Sequence, residues 1–316
     1  MPIADGADDD MASTTRRDSV LRAHDLHLLS AARAYDLSEK SERRRSARDL
    51  SQFYFQIVAA FQPDLFIEAG AKDADSSRRA SGLLRQARIV AFEANPFTYR
   101  EFQSRNQETS RVEYLHLALS DSPGEVSFNM NLGSDGTPQA DGRGSLMERH
   151  DKGHGLEKIT VSATTLDAFF SDFAFETCAL WVDVEGASEA VLTGGPNTLL
   201  RASIVIIEVE DREYWENCWT TADVTAHLYE AGLVPIARDF EFGYQHNVVF
   251  VRESLLTHHL LRLRMTQHLS AAAHPKPTPT TTIPGPAHHP TITSARSAIR
   301  RGRSILFRVT RAAKRD

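Results

Sequence analysis

Cysteine is scarce in this sequence. The two cysteines, Cys178 and Cys218, lie far apart, and no CxxC pair occurs. This spacing argues against a disulfide framework and against a structural zinc site, whose ligands come from closely spaced cysteines and histidines. Because free thiols are typical of a reducing compartment, the sequence predicts a cytoplasmic protein.

Long hydrophobic runs are also absent. No apolar stretch approaches the roughly 18 to 20 residues that cross a bilayer. The N-terminal segment MPIADGADDDMAS is acidic and has no apolar core of a secretory signal. Hydrophobic residues still make up 41% of the sequence, so we expect a soluble globular protein with one large domain or two small ones.

Two glycine-rich nucleotide motifs are missing as well. The sequence contains neither GxGxxG nor GxxxxGK[ST]. Their absence argues against a nicotinamide or flavin enzyme and against a nucleotide triphosphatase.

Charge is distributed unevenly along the chain. The net charge is −6, yet residues 294–316 contain seven arginines and one lysine against one aspartate. In a helical projection the cations share one face and small or aliphatic residues the other. Such a tail would bind an anionic inner membrane surface or an acidic partner; plain disorder and docking on the chain's own acidic body are the alternatives. The acidic body argues against a nucleic-acid ligand.

Composition divides the chain into four regions. Residues 1–49 form an extension, acidic at first and then rich in arginine, that we expect to be disordered or helical. Residues 50–255 form the globular domain. Residues 256–293 hold the end of a helix and a linker rich in proline and threonine, and residues 294–316 form the basic tail.

Strand and helix patterns alternate within the globular domain. Short apolar runs predict core strands at 64–70, 88–94, 112–119, 178–186 and 203–210, a hairpin arm at 125–131 and 158–166, and a terminal antiparallel pair at 233–240 and 247–253. Helices are predicted at 50–62, 75–87, 96–106, 187–200 and 220–232. This alternation predicts an α/β fold with a doubly wound, mostly parallel sheet and an antiparallel terminal strand.

Ligands bind such sheets beyond the carboxyl ends of the strands. The first strand ends in EAGAKDADSS (68–77), where Gly70 and Ala71 would let a ligand approach the backbone. The next helix would present free N–H groups, and Glu68 would suit a hydroxyl or ammonium donor. A plain turn between strand and helix is an equal alternative.

Acidic residues end two further strands. Glu93 follows the first turn by about 25 residues, a spacing at which an acid can accept both ribose hydroxyls of a nucleoside. Asp183, Glu185 and Glu189 crowd the segment WVDVEGASEAVLTGG. Neighbouring carboxylates raise each other's pKa, so one of them could serve as a general base or help bind a divalent metal, although nothing in the sequence requires a metal. A helix N-terminus stabilised by acids is the alternative for Glu189.

Six segments, taken in their order along the chain, resemble a known family. FIEAGAKDADSS, VAFEANPFTYREFQSRN, LALSDSPGEVSF, TTLDAF, LWVDVEGASEAVLTGG and IIEVE are similar to segments of the FkbM family of S-adenosylmethionine-dependent methyltransferases. The resemblance covers roughly residues 50–252. It implies a seven-stranded, Rossmann-like class I methyltransferase fold for the domain 50–255. It also implies methyl transfer to a hydroxyl of a glycan, a lipid-linked sugar or a natural product.

The resemblance also implies roles for particular residues. S-adenosylmethionine would contact its methionine side at 68–71, its ribose at Glu93 and its adenine at 118–121. The cofactor-binding residues would then be Glu68, Gly70, Ala71, Glu93, Asn95, Ser120 and Asp121. Asp183 would deprotonate the acceptor hydroxyl, with Glu185 or Glu208 as the alternative bases, and a divalent metal is compatible with these acids without being required.

Two positions depart from the family pattern. The first motif of the family usually reads like GANxG, and here the asparagine and the later glycine are replaced by Lys72 and Ala74. Alanine resists a positive φ, and Lys72 places a cation near a cofactor that already carries a sulfonium. A binding protein that keeps the methyltransferase fold but has lost activity is therefore the alternative function.

Three residues are candidates for contacting the substrate. Tyr214 and Trp215 follow the fifth core strand and could stack on a sugar or another ring; a packed surface loop is the alternative. The polar loop 132–145 predicts a lid over the site. Ser145, at the end of this loop, is a candidate contact to substrate or cofactor.

Overall fold

The computed structural model describes residues 32–109, 111–133, 135–138, 142–148 and 155–273. The features predicted for residues 1–31 and 274–316, including the linker and the basic tail, lie outside the described residues. Within the described part of the chain, no helix combines the length and the apolar character needed to cross a membrane.

Strands and helices alternate along the chain, in the predicted order. The strands are β1 (Leu65–Ala69), β2 (Arg88–Glu93), β3 (Val112–His116), β4 (Ala118–Leu119), β5 (Gly124–Asn131), β6 (Leu156–Thr164), β7 (Cys178–Val182), β8 (Ala202–Glu210), β9 (Leu233–Arg238) and β10 (Gln245–Arg252). The helices are α1 (Lys40–Phe61), α2 (Asp75–Leu83), α3 (Pro96–Thr109), α4 (Leu166–Phe169), α5 (Ser188–Thr193), α6 (Pro196–Arg201), α7 (Thr221–Glu230) and α8 (His259–Ala273).

Seven strands form one sheet in the order β3-β2-β1-β7-β8-β10-β9. The strands from β3 to β8 run parallel to their neighbours, and β10 is antiparallel to both β8 and β9. The doubly wound sheet with an antiparallel terminal strand is therefore confirmed. The strand order reverses between β1 and β7, which is the point where such sheets open a crevice for a ligand.

Both faces of this sheet are buried. Because side chains alternate along a strand, Phe66 packs with the cluster under α1 and α2, whereas Leu65 and Ile67 pack with the opposite cluster around α5 and α7. Tyr54 of α1 is fully buried and donates a hydrogen bond from its hydroxyl to the carbonyl of Leu180 at 2.8 Å. This bond fixes α1 against the strand that leads to the predicted base.

A smaller sheet adds an arm beside the main one. Its order is β4-β6-β5, with β5 antiparallel to β6 and β4 parallel to β6. The single strand predicted at 112–119 is wrong, because the chain changes sheets there. The N–H of Leu117 still donates to the carbonyl of Glu93 on β2, but the N–H of Ser120 donates to Thr164 on β6.

The first helix is longer than predicted. It begins at Lys40 rather than near Leu50, so the expected boundary between the extension and the domain falls inside α1. Within the part of α1 that precedes Leu50, only Ser46 is buried. This part of the helix therefore has no apolar pattern in the sequence. Ion pairs of Arg45 with Glu42 and Asp49 stabilise this N-terminal part of α1.

Two other helices end earlier than expected. The helix predicted over 75–87 stops at Leu83, and the helix predicted to run to about residue 200 is divided into α5 and α6. The break falls at Gly194 and Gly195. A Cβ on Gly194 would lie 2.1 Å from the carbonyl oxygen of Ser120, so the break lets two backbones pass in contact.

Candidate active site

The turn after β1 brings two strand ends into backbone contact. Gly70 has a φ of +75°, and a Cβ on it would lie 1.7 Å from the carbonyl oxygen of Asp183. Glu68, one pleat earlier, is buried and accepts the N–H of Ser77 at 2.8 Å. Glu68 therefore holds the first turn of α2, and its carboxylate does not face a ligand cavity.

Lys72 and Ala74 both adopt left-handed backbone conformations, with φ of 47° and 57°. These are the two positions where the family pattern has asparagine and glycine, the residues that tolerate this region. Lys72 and Ala74 therefore replace asparagine and glycine at two positions whose backbone conformation strains an ordinary side chain.

Restoring asparagine should relieve part of this strain. Because Lys72 is exposed and a left-handed conformation costs an ordinary L-residue about 1 to 2 kcal/mol, we expect Lys72→Asn to raise the free energy of unfolding by about 0.5 to 1 kcal/mol. Denaturant melts measure this change. Lys40→Asn, at the start of a right-handed helix, is the control and should bring no gain. A loss of stability in Lys72→Asn would contradict the interpretation.

Glu93 connects two turns at the edge of the sheet. One carboxylate oxygen accepts the N–H of Lys72 and the other accepts the N–H of Asn95, each at 2.7 Å. Burial raises the pKa of Glu93 to about 7, against the effect of these two hydrogen bonds. Asn95 in turn accepts the N–H of Phe97 at the start of α3. The Glu93 carboxylate thus holds the two turns in place and also lines the cavity described below.

A cavity of about 540 Å³ opens beyond β1, β2 and β7. It is lined by Gly70, Phe92, Glu93, Ala94, Asn95, Leu117, Ala118, Leu119, Phe128, Gly142, Gly144, Ser145, Leu146, Asp183, Val184 and Ala187. One end is apolar, and the other holds the carboxylates of Glu93 and Asp183. This pairing of an apolar slot with acids suits a flat ring joined to a polar and cationic tail.

Residues of the segment 142–146, at the end of the loop 132–145 for which a lid is predicted, line the cavity. The Ser145 hydroxyl donates to the carbonyl of Glu185 at 2.5 Å and accepts the N–H of Met147. The backbone of Ser145 also pairs with Asn129 on β5. Ser145 is buried and lines the cavity, so its hydroxyl fastens this segment to the strand end that holds the acids.

Asp183, directly after β7, and Glu208, near the end of β8, form a half-buried carboxyl pair. Burial raises the pKa of both groups, and the charge of Asp183 raises that of Glu208 further. The hydrogen bond between them lowers the pKa of Asp183 and raises that of Glu208, so it favours the proton on Glu208. The side-chain amide of Gln245 donates to the second oxygen of Glu208 at 2.9 Å.

Glu185 lies close to this pair. Oxygen atoms of Asp183, Glu185 and Glu208 all lie within 4.8 Å of one another, a separation that one divalent cation could span. The three residues predicted as alternative bases are therefore brought together in one place. Only Asp183 lines the cavity itself.

Several predicted cofactor contacts do not reach the cavity. Glu68 and Ala71 are buried behind the turn, where the N–H of Ala71 donates to Phe92. Ser120 lies within the arm, and Asp121 is exposed and accepts the hydroxyl of Ser122. The apolar wall is instead formed by residues that read as ordinary strand or loop positions in the sequence: Leu117, Ala118, Leu119, Phe128 and Leu146.

Trp215, a candidate for stacking on a substrate, lies in the packed interior of the structure. Trp215 is 2% exposed, and its ring packs so closely on Gly186 that a Cβ there would lie 2.3 Å from it. The packed-loop alternative therefore holds for this residue. Tyr214 is half-buried and contacts Trp215 and Tyr244 rather than the cavity.

Glu68 should make stability depend on pH. Burial raises its pKa in the folded protein to about 8 from an ordinary value of 4.5. The folded state thus binds the proton more tightly, and stability is lost as the pH rises between these values, by at most about 1.4 kcal/mol per unit. We expect Glu68→Gln, which can still accept the N–H of Ser77, to lose less stability over this range.

Melts from pH 4.5 to 8 measure this effect, with Glu101→Gln on the exposed side of α3 as the control. As the pH rises, the free energies of unfolding of wild type and Glu101→Gln should fall more steeply than that of Glu68→Gln. Parallel curves for all three would contradict the raised pKa.

The fold and the acids at its switch point define a doubly wound α/β protein with a ligand cavity at the sheet edge, and comparison with known proteins supplies the family. The sequence model of the methyltransferase FkbM domain matches residues 68–244. The chain belongs to the FkbM family and is an S-adenosylmethionine-dependent methyltransferase.

The individual proteins that the chain resembles share less than a third of its sequence. The chain is 28% identical over 191 residues to 2-O-methyltransferase NoeI of Sinorhizobium fredii (strain NBRC 101917 / NGR234), covering 57% of this chain and 78% of that one. Among solved structures, a SAM-dependent methyltransferase from Aquifex aeolicus has 10% identity and a TM-score of 0.35, covering 68% of this chain and 98% of that one. Burkholderia thailandensis 1,6-didemethyltoxoflavin-N1-methyltransferase has 13% identity and a TM-score of 0.30, covering 80% and 93%.

Proposed function

We propose that S-adenosylmethionine binds in the cavity beyond β1, β2 and β7. The apolar wall at 117–119 fits an adenine ring, the carboxylate of Glu93 fits the ribose hydroxyls, and the open backbone at Gly70 fits the methionine part. The negative charge of Asp183 suits a sulfonium. The match between this lining and the parts of the molecule supports the placement.

We infer that the reaction is transfer of a methyl group to a hydroxyl oxygen of a glycan, a lipid-linked sugar or a related natural product. The observation that carries this inference is the Asp183–Glu208 pair, which places a carboxyl group with a raised pKa at the edge of the cavity. The resemblance to a protein described as a 2-O-methyltransferase supports the same reaction.

The protein's part in this reaction is to position the acceptor and accept a proton. Bound S-adenosylmethionine supplies an electrophilic methyl group, which passes to the acceptor oxygen and leaves a neutral thioether. Asp183 takes the proton of the acceptor hydroxyl, because a neutral hydroxyl is a poor nucleophile. Lys72 lowers the pKa of Asp183 through its charge and so helps to keep the base ionised. Holding the oxygen in line supplies much of the remaining rate.

A transfer assay tests the proposal. The full chain is incubated with methyl-labelled S-adenosylmethionine and with fractions of oligosaccharide, lipid-linked sugar and small natural products. We expect label in a methyl ether that survives mild alkali, whereas a methyl ester would not. Cofactor binding without label in any fraction would favour the alternative, a binding protein that keeps the fold without the activity.

A further inference from the structure

A second, larger recess lies between helices α1 and α2 and the sheet. It is open to solvent and contains about 1,100 Å³ of empty space. Arg44 and Arg48 of α1 and Arg79 of α2 form its helical wall, while Trp181 and Asn247 belong to the sheet beneath. We call this recess the arginine groove.

The arginine groove leads to the proposed reaction centre. Trp181 precedes Asp183 by two residues, and side chains two apart on a strand share a face about 7 Å apart. Asn247 lies directly opposite Glu208 in the pairing of β10 with β8. The sheet side of the groove is thus continuous with the carboxyl pair, at a distance that one sugar ring would span.

Two of the three arginines on the helical wall, Arg48 and Arg79, have no ion-pair partner among the described residues. In contrast, Arg44 lies 3.8 Å from Glu241. Arg79 donates to the hydroxyl of Ser51 at 3.2 Å. The Arg79 guanidinium also lies 4.2 Å over the ring of Phe55, and both Arg48 and Arg79 line the groove.

The opposite side of the groove offers hydroxyl-binding groups. Asp239 is buried and accepts the side-chain amide of Asn247 at 3.0 Å. Trp181 is half-buried, stacked on Phe55 with 5.6 Å between ring centroids. An aromatic edge beside amide and carboxylate groups is suited to a sugar ring.

We propose that the arginine groove binds the acceptor, and that this acceptor is a sugar carrying a phosphate group. The sugar lies over Trp181 with a hydroxyl toward Asp183, and the phosphate lies between Arg48 and Arg79. Two guanidinium groups from different helices match an anion with several oxygens. This inference rests on the proposed methyl transfer, because it names the acceptor of that reaction.

Binding experiments test the groove separately from the transfer reaction. The full chain is titrated with glucose 1-phosphate, with neutral methyl glucoside and with inorganic phosphate, in the presence of S-adenosylhomocysteine. The variants are Arg48→Gln and Arg79→Gln, and Arg85→Gln is the control on an exposed arginine outside the groove. Hydrogen bonds to charged groups contribute about 1.5 to 3 kcal/mol, so each groove variant should weaken binding of the sugar phosphate about tenfold or more.

The expected result is that glucose 1-phosphate binds more tightly than methyl glucoside and that Arg85→Gln binds it as wild type does. Affinity for S-adenosylmethionine should stay unchanged in all three variants. Equal binding of the neutral and phosphorylated sugars, no binding of any phosphate probe, or wild-type binding by both groove variants would overturn the inference. A different result would contradict the proposed function: the wild type would not bind S-adenosylmethionine or would not transfer a methyl group.

Discussion

Replacing Gly70 with alanine is expected to lower the free energy of unfolding by about 2 to 5 kcal/mol. The new Cβ would lie 1.7 Å from the Asp183 carbonyl, so β1 and β7 would have to separate where both must be in register. Forced overpacking costs about 1 to 3 kcal/mol, and a left-handed φ adds about 1 to 2 kcal/mol for alanine. Denaturant melts of purified protein give the change directly.

Gly82 supplies the matched control. It lies in α2, its φ is ordinary, and no atom stands within 4 Å of a Cβ added there. Gly82→Ala should therefore raise stability by about 0.5 to 1 kcal/mol, since alanine suits a helix better than glycine. A Gly70→Ala protein as stable as wild type would show that the two strand ends do not touch.

Replacing Asp183 with asparagine is expected to lower the rate of methyl transfer by about 10² to 10⁴-fold, the usual contribution of a general base. Asparagine keeps the size of the side chain but removes the charge that faces the sulfonium, so the affinity for S-adenosylmethionine should fall, though far less than the rate. Single-turnover transfer measured beside a binding titration separates the two effects. Glu101→Gln, an exposed substitution on α3, should leave both unchanged.

The same pair gives the enzyme a characteristic pH dependence. Burial raises the pKa of Asp183, and the base acts only when ionised, so activity should rise with pH along a limb displaced above the range of an ordinary carboxyl. Glu208→Gln replaces the ionisable partner of Asp183 with a neutral amide, which removes the coupling between the two carboxyl groups and should move this limb. A wild-type rate for Asp183→Asn, or a limb at an ordinary carboxyl pKa, would contradict the assignment of the base.

The edge of the sheet could be predicted from the sequence because β and α patterns alternate so regularly. Gly70, Glu93 and Asp183 end or directly follow a buried strand, and Glu208 lies two residues before the end of β8. Parallel strands bring their carboxyl ends to one edge, so the meeting of these four residues needed no knowledge of distant contacts.

Other features depend on contacts between distant parts of the chain. The apolar wall includes Phe128 and Leu146, which come from the arm and the segment 142–146, and neither position differs in pattern from an ordinary packed residue. The burial of Trp215 depends on Gly186 lying under its ring. Likewise, the oxygens of Glu93 are taken by the backbone of Lys72 and Asn95, a pairing that no side-chain pattern records.

The arginine groove was hidden for a related reason. Its helical wall comes from the part of α1 before Leu50, where the sequence shows arginine without an apolar stripe. Such a segment is usually a solvated helix face. Only the packing of α1 over Trp181 and Ile206 turns that face toward the reaction centre.

Calorimetric titration with S-adenosylmethionine tests the central claim, that the cofactor binds between Gly70, Glu93 and Asp183. We predict saturable one-site binding by the wild type and binding at least about tenfold weaker for Glu93→Ala, since that variant loses two charge-assisted hydrogen bonds that shape the cavity. Glu101→Ala, with its exposed side chain, should bind as wild type does. Absence of binding by the wild type, or equal affinity in a folded Glu93→Ala protein, would contradict the account.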